Sequence, residues 1–293
     1  MLSLANPRPR LYLGAVLISL SPVWVKLVDV SATTSGFYRA AFGAAGLCLY
    51  LLVTRRSLSF SRSMWGLLLL AALFFSADLW FWHRSINYIG PGLSTLLANF
   101  QVFIMMFAGI VLLRQPPSLG QVIAVPLALL GLALIVGLDW SSLSEDYRLG
   151  VIFGLLTAVA YASYMLTMRK VRGSATDRMP TREIAIVSIG VAITLGISAF
   201  AEGESLAIST ATDWGWLLAY GLLSHALGMM FIASSLPQVT TTEAGLALLL
   251  QPTLSFTWDV LFFGRPMSAM ESLGAAIALF AIWLGARTRS NQA

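Results

Sequence analysis

Long apolar runs alternate with short polar segments along almost the whole chain. Each run is about 20 residues long, which is the length that an α-helix needs to cross the hydrocarbon core of a bilayer. In lipid only helices and closed barrels satisfy their backbone hydrogen bonds, and these runs are too long and continuous for barrel strands. The pattern predicts an all-α membrane protein with ten transmembrane helices. Their approximate limits are Leu11–Val30, Thr33–Val53, Met64–Ser85, Ile89–Leu113, Leu119–Gly137, Leu149–Met168, Arg182–Ala201, Trp214–Ser235, Thr240–Phe263 and Ser268–Ala286.

The composition supports a lipid environment. Of the 293 residues, 58% are hydrophobic and 11% are charged, whereas a soluble domain carries about 25% charged residues. The net charge of +5 would also suit a nucleic-acid partner. However, most basic residues lie in the short segments between apolar runs, so we predict a lipid bilayer as the partner and no nucleic acid. The single cysteine, Cys48, excludes a disulfide framework and a cysteine-rich metal site.

The charged residues also orient the chain. With the N-terminus in the cytoplasm, basic segments such as Arg55-Arg56 and Arg169-Lys170-Val-Arg172 lie inside, and acidic loop residues such as Glu202 lie outside. This is the distribution that the positive-inside rule requires. An even number of helices then places both termini in the cytoplasm. Two arginines before the first run resemble the start of a signal peptide, but no small-residue cleavage site follows, so we predict an uncleaved first helix.

The two halves of the chain resemble each other at an offset of 150 residues, which places Gln101 over Gln251. Each half holds five helices, an odd number, so two consecutive copies enter the membrane from opposite sides. We therefore predict two inverted repeats, residues 1–140 and 141–293, with a substrate site near the bilayer midplane between them. A duplicated bundle with a purely architectural role is the alternative.

Three segments resemble the drug/metabolite transporter superfamily. They are the turn Ser21-Pro-Val-Trp24, the stretch Phe37-Tyr-Arg39-Ala-Ala and the linker Arg114-Gln-Pro-Pro-Ser118. The linker is similar to that of the EamA branch, although the glutamate usual there is missing in both copies. Chain length, aromatic content and the segment Trp80-Phe-Trp82 look most like the YddG-type amino-acid exporters. The resemblance implies export of amino acids, aromatic ones included, and of related metabolites across the bacterial inner membrane.

Polar side chains inside the apolar runs mark a candidate binding site. Asp78 and His225 lie near mid-depth, where an ionisable group costs about 2.5–3.5 kcal/mol on insertion scales. Both are candidates for a proton or an ammonium partner. Asn99, Gln101 and Gln251 lie near the middle of the fourth and ninth helices, and their amides suit the carboxylate and ammonium of a zwitterion. The alternatives are a buried histidine paired with a hydroxyl, and amides that join helices.

Aromatic residues complete the predicted site. Trp24, Trp82, Tyr161 and Tyr164 are not all at interface depth, and their rings suit large apolar side chains or cations. Core packing is the alternative role. The predicted substrate-binding set is Ser21, Trp24, Asp78, Trp82, Asn99, Gln101, Tyr161, Tyr164, His225 and Gln251.

Three residues are predicted to gate the cavity. Pro22 and Pro252 lie in the middle of spans, where each removes a backbone donor and is a candidate for a kink or a hinge. Glu243 opens the ninth helix on the cytoplasmic side, and it either caps that helix or gates the inner mouth. Other ionisable residues are expected near the outer ends of their spans, as interfacial anchors or in rim ion pairs. These are Lys26, Asp29, Arg39, His83, Arg84 and Asp259.

Together these features predict a carrier that exports amino acids by alternating access. Cationic drugs or other small metabolites are an alternative cargo. Phosphorylated cargo is disfavoured, because no basic residue is expected in the middle of the cavity. An integral membrane enzyme is a distant alternative, since two histidines, one cysteine and scattered carboxylates offer neither metal-ligand spacing nor a nucleophile–base pair. No cofactor and no metal are predicted. The energy source is either proton coupling through Asp78, His225 or Glu243, or facilitated diffusion down the outward gradient.

Overall fold

The computed structural model describes residues 6–55, 60–113, 117–136, 143–173, 180–235, 238–239 and 241–287. Within these ranges the regular elements are helices and no strand occurs, which confirms the prediction of an all-α protein. The helices are α1 (Pro7–Ser19), α2 (Ser21–Leu27), α3 (Ala32–Val53), α4 (Arg62–Ile89), α5 (Pro91–Ala98), α6 (Gln101–Leu113), α7 (Leu119–Val136), α8 (Glu145–Gly173), α9 (Thr181–Ala201), α10 (Ala211–Ala219), a π-helical segment (Tyr220–Gly228), α11 (Met229–Ser235), α12 (Thr241–Phe263) and α13 (Ala269–Arg287).

Seven helical segments of the described chain are long and apolar enough to cross a membrane. They are Pro7–Leu27, Ala32–Val53, Arg62–Ile89, Pro91–Val111, Glu145–Arg172, Thr181–Ala201 and Ala211–Ser235. Three shorter apolar helices are Leu119–Ile135, Ala247–Phe263 and Ala269–Gly285. Every predicted span therefore coincides with one of these segments. That all ten cross the membrane stays a prediction.

Three of the predicted spans are not continuous α-helices. The first is broken at Leu20, and α2 begins with Pro22 in its first turn, where the missing backbone donor costs nothing. The fourth is broken at Asn99, between α5 and α6. The eighth contains the π-helical segment, a rare element that is frequent at functional sites. In contrast, α12 runs through Pro252 without a break.

The helix packing pairs the first half of the chain with the second. Helix α3 packs on α9 and α7 packs on α13, while α4 packs on α8 and α1 packs on the π-helical segment and α11. If the ten segments are numbered along the chain, these contacts join the second to the seventh, the fifth to the tenth, the third to the sixth and the first to the eighth. Exchange of the two halves therefore leaves this set of contacts unchanged.

Two glycines bring α7 and α13 close together. A Cβ atom added to Gly131 would lie 2.7 Å from the backbone nitrogen of Ala278 and 2.8 Å from the carbonyl oxygen of Gly274. A Cβ atom added to Gly274 would lie 2.8 Å from the carbonyl oxygen of Gly131. Small residues permit such close approach between membrane helices. The α7–α13 crossing therefore requires a glycine on each helix.

The two largest clusters of buried apolar side chains differ in their helices. The first includes Phe75, Trp82 and Tyr164. The second includes Leu97 and Ile282. A cavity described below is lined by members of both clusters, so it lies where the two meet.

Candidate functional site

A cavity of about 660 Å³ lies among the helices. This volume falls within the range of about 300–1,000 Å³ that is usual for small-molecule sites. Its lining comes from both halves of the chain, because α2, α4 and α6 contribute to it as well as α8, α11 and α12. The cavity is therefore shared between the halves rather than contained in one of them.

The lining of the cavity extends to the point where α8 ends and α9 begins. Arg169, which is exposed, and Pro180 line it there, and we take this end as its mouth. Asp78 and Arg39 lie deeper, in electrostatic contact with Tyr161 of α8. Eight residues separate Tyr161 from Arg169 on that helix, which corresponds to about 12 Å. The two deep charges are thus well below the mouth.

Most of the predicted substrate-binding residues line this one cavity. They are Ser21, Asp78, Trp82, Asn99, Gln101, Tyr161, Tyr164 and Gln251, and the predicted gating residue Pro22 lines it as well. Trp24, His225 and Pro252 are not part of the lining. The side chain of Glu243 lies outside the described residues. The roles of all these residues in binding and gating stay predictions.

Trp24 contacts neighbouring helices instead of the cavity. Its Nε1 donates a hydrogen bond to Ser224 Oγ over 3.0 Å, and its ring stacks on Trp216 with 5.6 Å between centroids. These contacts hold α2 against α10 and the π-helical segment. The indole therefore packs between helices, as in the alternative role of core packing.

Arg39 enters the deep end of the cavity from α3 and is only 7% exposed. Its Nε donates to His225 Nδ1 over 3.3 Å and its Nη1 donates to the Tyr220 hydroxyl over 2.9 Å. Its guanidinium carbon lies 5.5 Å from the Trp82 ring centroid and 5.1 Å from that of Tyr220, within cation–π range. The expected interfacial position of Arg39 is therefore wrong, because acceptors and aromatic rings stabilise its charge inside the bundle.

The directions of these hydrogen bonds assign the protons of two histidines. Arginine donates only, so His225 Nδ1 accepts and its Nε2 carries the proton toward Ser188 Oγ, 2.7 Å away. The Tyr220 hydroxyl accepts from Arg39 and therefore donates to His83 Nε2 over 3.1 Å. His83 Nδ1 then donates to a backbone carbonyl oxygen one turn earlier in α4. In the described structure His225 is a buried histidine paired with a hydroxyl, and His83 is fully buried in the bundle, so its side chain does not extend outward as an anchor.

Asp78 lies on the wall of the cavity from α4 and is 6% exposed. Within the described part of the chain, its carboxylate accepts no hydrogen bond and joins no ion pair. Arg39 is the basic residue in electrostatic contact with it. A buried charge without a partner is costly, so Asp78 is an unusual group for a merely structural position.

The predicted amides have different surroundings. Asn99 Nδ2 donates to the carbonyl oxygen of Thr95 over 2.8 Å, which satisfies part of that amide within the α5–α6 break. In contrast, Gln101 Oε1 is buried and has no hydrogen-bond partner among the described residues. Buried polar atoms normally have partners, so Gln101 has an unsatisfied acceptor beside the cavity that this residue lines. Its repeat counterpart Gln251 also lines the cavity.

Sequence reasoning missed the basic residues of this cavity. Arg39 escaped it because an arginine near one end of a span ordinarily snorkels to the interface. The available signal was the small-residue face that Arg39 shares with Gly36 and Gly43, since residues three and four apart lie on one helix face. Arg169 and Arg172 were read only as orientation signals, but both line the mouth. Arg172 is paired there with Glu183 over 3.0 Å.

A polar cluster, here called the Glu202 cluster, lies at the other end of α8 and α9. The Glu202 carboxylate accepts hydrogen bonds from Trp80 Nε1 over 2.6 Å, Thr33 Oγ1 over 2.7 Å, Arg84 Nη2 over 2.8 Å and Ser198 Oγ over 2.9 Å. These donors belong to α3, α4 and α9. The cluster therefore joins the two halves at the end opposite the mouth.

The charge of Glu202 is stabilised by these neighbours. Partial burial alone would raise the pKa of Glu202, but the hydrogen bonds from Trp80, Thr33 and Ser198 and the charge of Arg84 outweigh it and lower the pKa to about 2. Because the pKa is lowered, ionised Glu202 stabilises the folded state fully above the usual carboxyl range. This stabilisation is lost as the pH falls toward 2. Glu202 is therefore ionised at every pH from 5 to 8.

A second contact joins the halves at the same end. Asp259 of α12 accepts a hydrogen bond from the backbone nitrogen of Gly92 over 2.9 Å and lies 3.5 Å from Arg265. Arg265 donates to the carbonyl oxygen of Ile89 over 2.7 Å. Together these residues hold the turn between α4 and α5. Arg84 and Asp259 thus take part in ion pairs, as expected for rim residues.

The fold and cavity define the class of the protein. Apolar helices around a deep cavity with buried charges are typical of membrane transport proteins. The sequence profile of the EamA-like transporter family matches residues 11–137 and 148–286. The protein belongs to the EamA-like transporter family, a branch of the drug/metabolite transporter superfamily.

Individual relatives are more distant. The chain is 26% identical over 282 residues to the "Uncharacterized inner membrane transporter YhbE" of Escherichia coli K12, covering 91% of this chain and 85% of that protein. The same values hold for the proteins of that description from Escherichia coli O157:H7 and Shigella flexneri. A solved structure described as "Crystal structure of protein" superposes with a TM-score of 0.67 over 99% of this chain and 100% of that chain, at 15% identity. This similarity shows a shared fold.

Proposed function

We propose that the protein is a bacterial inner-membrane carrier that exports amino acids, both aromatic and other neutral ones, by alternating access. In this proposal all ten helical segments cross the membrane as two inverted five-helix repeats, residues 1–140 and 141–293. The central cavity between the repeats holds the substrate. The observation that carries the proposal is this cavity, which is lined by amides and aromatic rings from both halves and by Asp78 and Arg39 from the first half.

The repeat organisation is supported by two independent observations. The family profile matches twice, once in each half. The packing contacts of the helices are also preserved when the halves are exchanged, as in the pairs α3–α9 and α7–α13. Inverted repeats supply two related conformations that open to opposite sides.

The membrane assignment follows from charge and from relatives. Arg169 and Arg172 line the mouth and Lys170 lies between them in the chain, and the positive-inside rule assigns such a cluster to the cytoplasm. The Glu202 cluster then lies on the outer side. The relatives described as inner membrane transporters support the same membrane. In this proposal the mouth faces the cytoplasm and the Glu202 cluster faces outward, so the described conformation is inward-open.

Cationic drugs are a second candidate cargo. Asp78 is a cavity carboxylate without a hydrogen bond in the described chain, and the rings of Trp82, Tyr161 and Tyr164 line the same space. A carboxylate with aromatic rings is a suitable environment for an organic cation. Competition between labelled phenylalanine and a lipophilic cation distinguishes the two cargoes. Unlabelled amino acids compete strongly with the labelled phenylalanine only if amino acids are the substrate.

The energy source of export is also open to a direct test. Proton exchange would require a titrating cavity group, and Asp78 is the described carboxylate in that position. Downhill flow would require none. If export is coupled to protons, an imposed pH gradient stimulates export by the wild type and the Asp78→Asn variant loses that stimulation. If export is downhill flow, the gradient changes the export rate of neither wild type nor variant.

The proposed function is tested by efflux of labelled neutral amino acids from proteoliposomes. Gln101→Ala and Gln251→Ala are each expected to reduce efflux about tenfold, because each removes an amide from the cavity and one hydrogen bond to a charged substrate group is worth about 1.5–3 kcal/mol. The matched control is Asn87→Ala, which removes an exposed amide from α4. Folded protein that releases no amino acid would exclude the proposal, and full activity of both glutamine variants would remove these amides from the site.

A further inference from the structure

The guanidinium of Arg39 is held from one side. Two of its donors, Nε and Nη1, are engaged by His225 and Tyr220, which are fully buried in the π-helical segment. The other terminal nitrogen, Nη2, has no hydrogen-bond partner among the described residues. Because Arg39 lines the cavity, the N–H groups of Nη2 are available to a ligand there.

Asp78 presents the complementary charge. Both Asp78 and Arg39 are more than nine-tenths buried, and both line the same cavity. They interact electrostatically, but they form no hydrogen bond or ion pair with each other within the described structure. A ligand that carries both an anionic and a cationic group can contact the remaining nitrogen of Arg39 and the carboxyl group of Asp78 in this cavity.

We infer that Arg39 and Asp78 are the two ends of a clamp for a zwitterion, and that Tyr220 and His225 are positioning residues for Arg39. Arg39 binds the carboxylate of the substrate and Asp78 binds its ammonium. This assignment rests on the proposed amino-acid transport and adds the residues that read the two charged groups. The aromatic rings of Trp82, Tyr161 and Tyr164 contact the side chain of the substrate.

The clamp gives selectivity through the cost of leaving a charge unpaired. A molecule with both charges satisfies Arg39 and Asp78 together. A molecule with a carboxylate alone leaves Asp78 buried without a partner, and an amine alone leaves Nη2 of Arg39 without an acceptor. Sites built to bind polar groups discriminate strongly against analogues that lack them.

The positioning role follows from the geometry of arginine. A guanidinium is planar and binds carboxylates best when its plane is fixed. Two hydrogen bonds, to His225 Nδ1 and to the Tyr220 hydroxyl, fix that plane. Tyr220 is itself fixed by His83, and His225 by Ser188. Loss of either acceptor leaves the charge of Arg39 in place but frees its orientation.

Binding of three probes to the purified full-length protein tests the clamp. The probes are phenylalanine, 3-phenylpropanoate, which has only the carboxylate, and phenethylamine, which has only the ammonium. Arg39→Gln is expected to weaken phenylalanine and 3-phenylpropanoate at least about tenfold, with phenethylamine binding unchanged or tighter. Asp78→Asn is expected to weaken the binding of phenylalanine and phenethylamine, with 3-phenylpropanoate binding unchanged or tighter. Retained binding of one probe also shows that each variant is folded.

The positioning residues are tested with the same probes. Tyr220→Phe and His225→Leu are expected to weaken 3-phenylpropanoate about threefold to tenfold and to leave phenethylamine within twofold. His225→Asn restores an acceptor close to the position of Nδ1 and is expected to recover most of the carboxylate affinity. The matched control is Tyr88→Phe, which removes a hydroxyl from an exposed ring outside the cavity.

The outcomes separate the clamp from the proposed function. If Arg39→Gln and Asp78→Asn weaken all three probes equally, the residues are structural and the clamp is wrong. If wild type exports phenylalanine and Arg39→Gln exports it as well, the function stands and the clamp falls. If wild type exports no amino acid but binds 3-phenylpropanoate in an Arg39-dependent manner, amino-acid export is wrong and Arg39 remains the carboxylate-binding group.

Discussion

Replacing Gly131 with valine is expected to prevent assembly of the folded protein. The new Cβ would lie 2.7–2.8 Å from backbone atoms of α13, and backbone atoms cannot move aside as a flexible side chain can. Overpacking typically costs about 1–3 kcal/mol and more where backbone must shift. Total stabilities are only about 5–15 kcal/mol. Size-exclusion chromatography of detergent-solubilised protein should show loss of the monodisperse peak.

Gly274→Val is expected to give the same result, because Gly274 faces Gly131 across the α7–α13 crossing. The matched control is Gly66→Val in α4, since a Cβ atom at Gly66 meets nothing within 4 Å. Gly131→Ala should retain part of the peak. A normal elution profile and melting temperature for Gly131→Val would show that the two helices do not approach as closely as described.

Neutralising Glu202 is expected to open the cavity at the end that is now closed. Glu202→Gln removes the charge that binds Arg84 over 2.8 Å and replaces an acceptor with a donor facing Thr33 or Trp80. A ligand or mutation shifts a two-state equilibrium by its differential effect on the two states, and about 1.4 kcal/mol changes the ratio tenfold. We therefore expect a shift toward the outward-open state of about fivefold to tenfold.

Sided labelling measures this shift. Ala98, which lines the cavity, is changed to cysteine in a Cys48→Ala background, and a membrane-impermeant maleimide is added to vesicles of either orientation. Without the Glu202 change, labelling should occur from the cytoplasmic side. With Glu202→Gln, labelling from the outer side should rise about fivefold to tenfold.

Two controls accompany the labelling experiment. Glu145→Gln makes the same chemical change at an exposed residue of α8 and should leave labelling unchanged. Between pH 5.5 and 8 the pattern should also be constant, because the lowered pKa of Glu202, about 2, keeps it ionised. Equal labelling from both sides before any change at Glu202 would contradict a closed outer end.

The helical segments and much of the cavity could be predicted from the sequence, for physical reasons. Lipid demands long apolar runs, so the spans are visible as such. A polar residue in a span is costly, so Asp78, Asn99 and Gln101 stood out before the structure showed that they line one cavity. Duplication linked Gln101 to Gln251 without any knowledge of contacts.

Other features depend on packing that a single sequence does not reveal. Trp24 and His225 have the residue types of a binding site, but their hydrogen bonds to Ser224, Arg39 and Ser188 are decided by which helices meet. The charge of Arg39 lies inside because aromatic rings from α4 and the π-helical segment surround it. The π-helical segment itself has no distinct sequence signal, since its stability comes from its neighbours.

Counterflow of phenylalanine tests the central claim most directly. Proteoliposomes are loaded with unlabelled phenylalanine and diluted into a trace of labelled phenylalanine at constant pH. A carrier with an alternating cavity exchanges the two, so the label should accumulate transiently inside above its external concentration, and 3-phenylpropanoate should drive this accumulation poorly. Absence of accumulation with correctly folded wild-type protein would contradict the account of this cavity as an amino-acid carrier site.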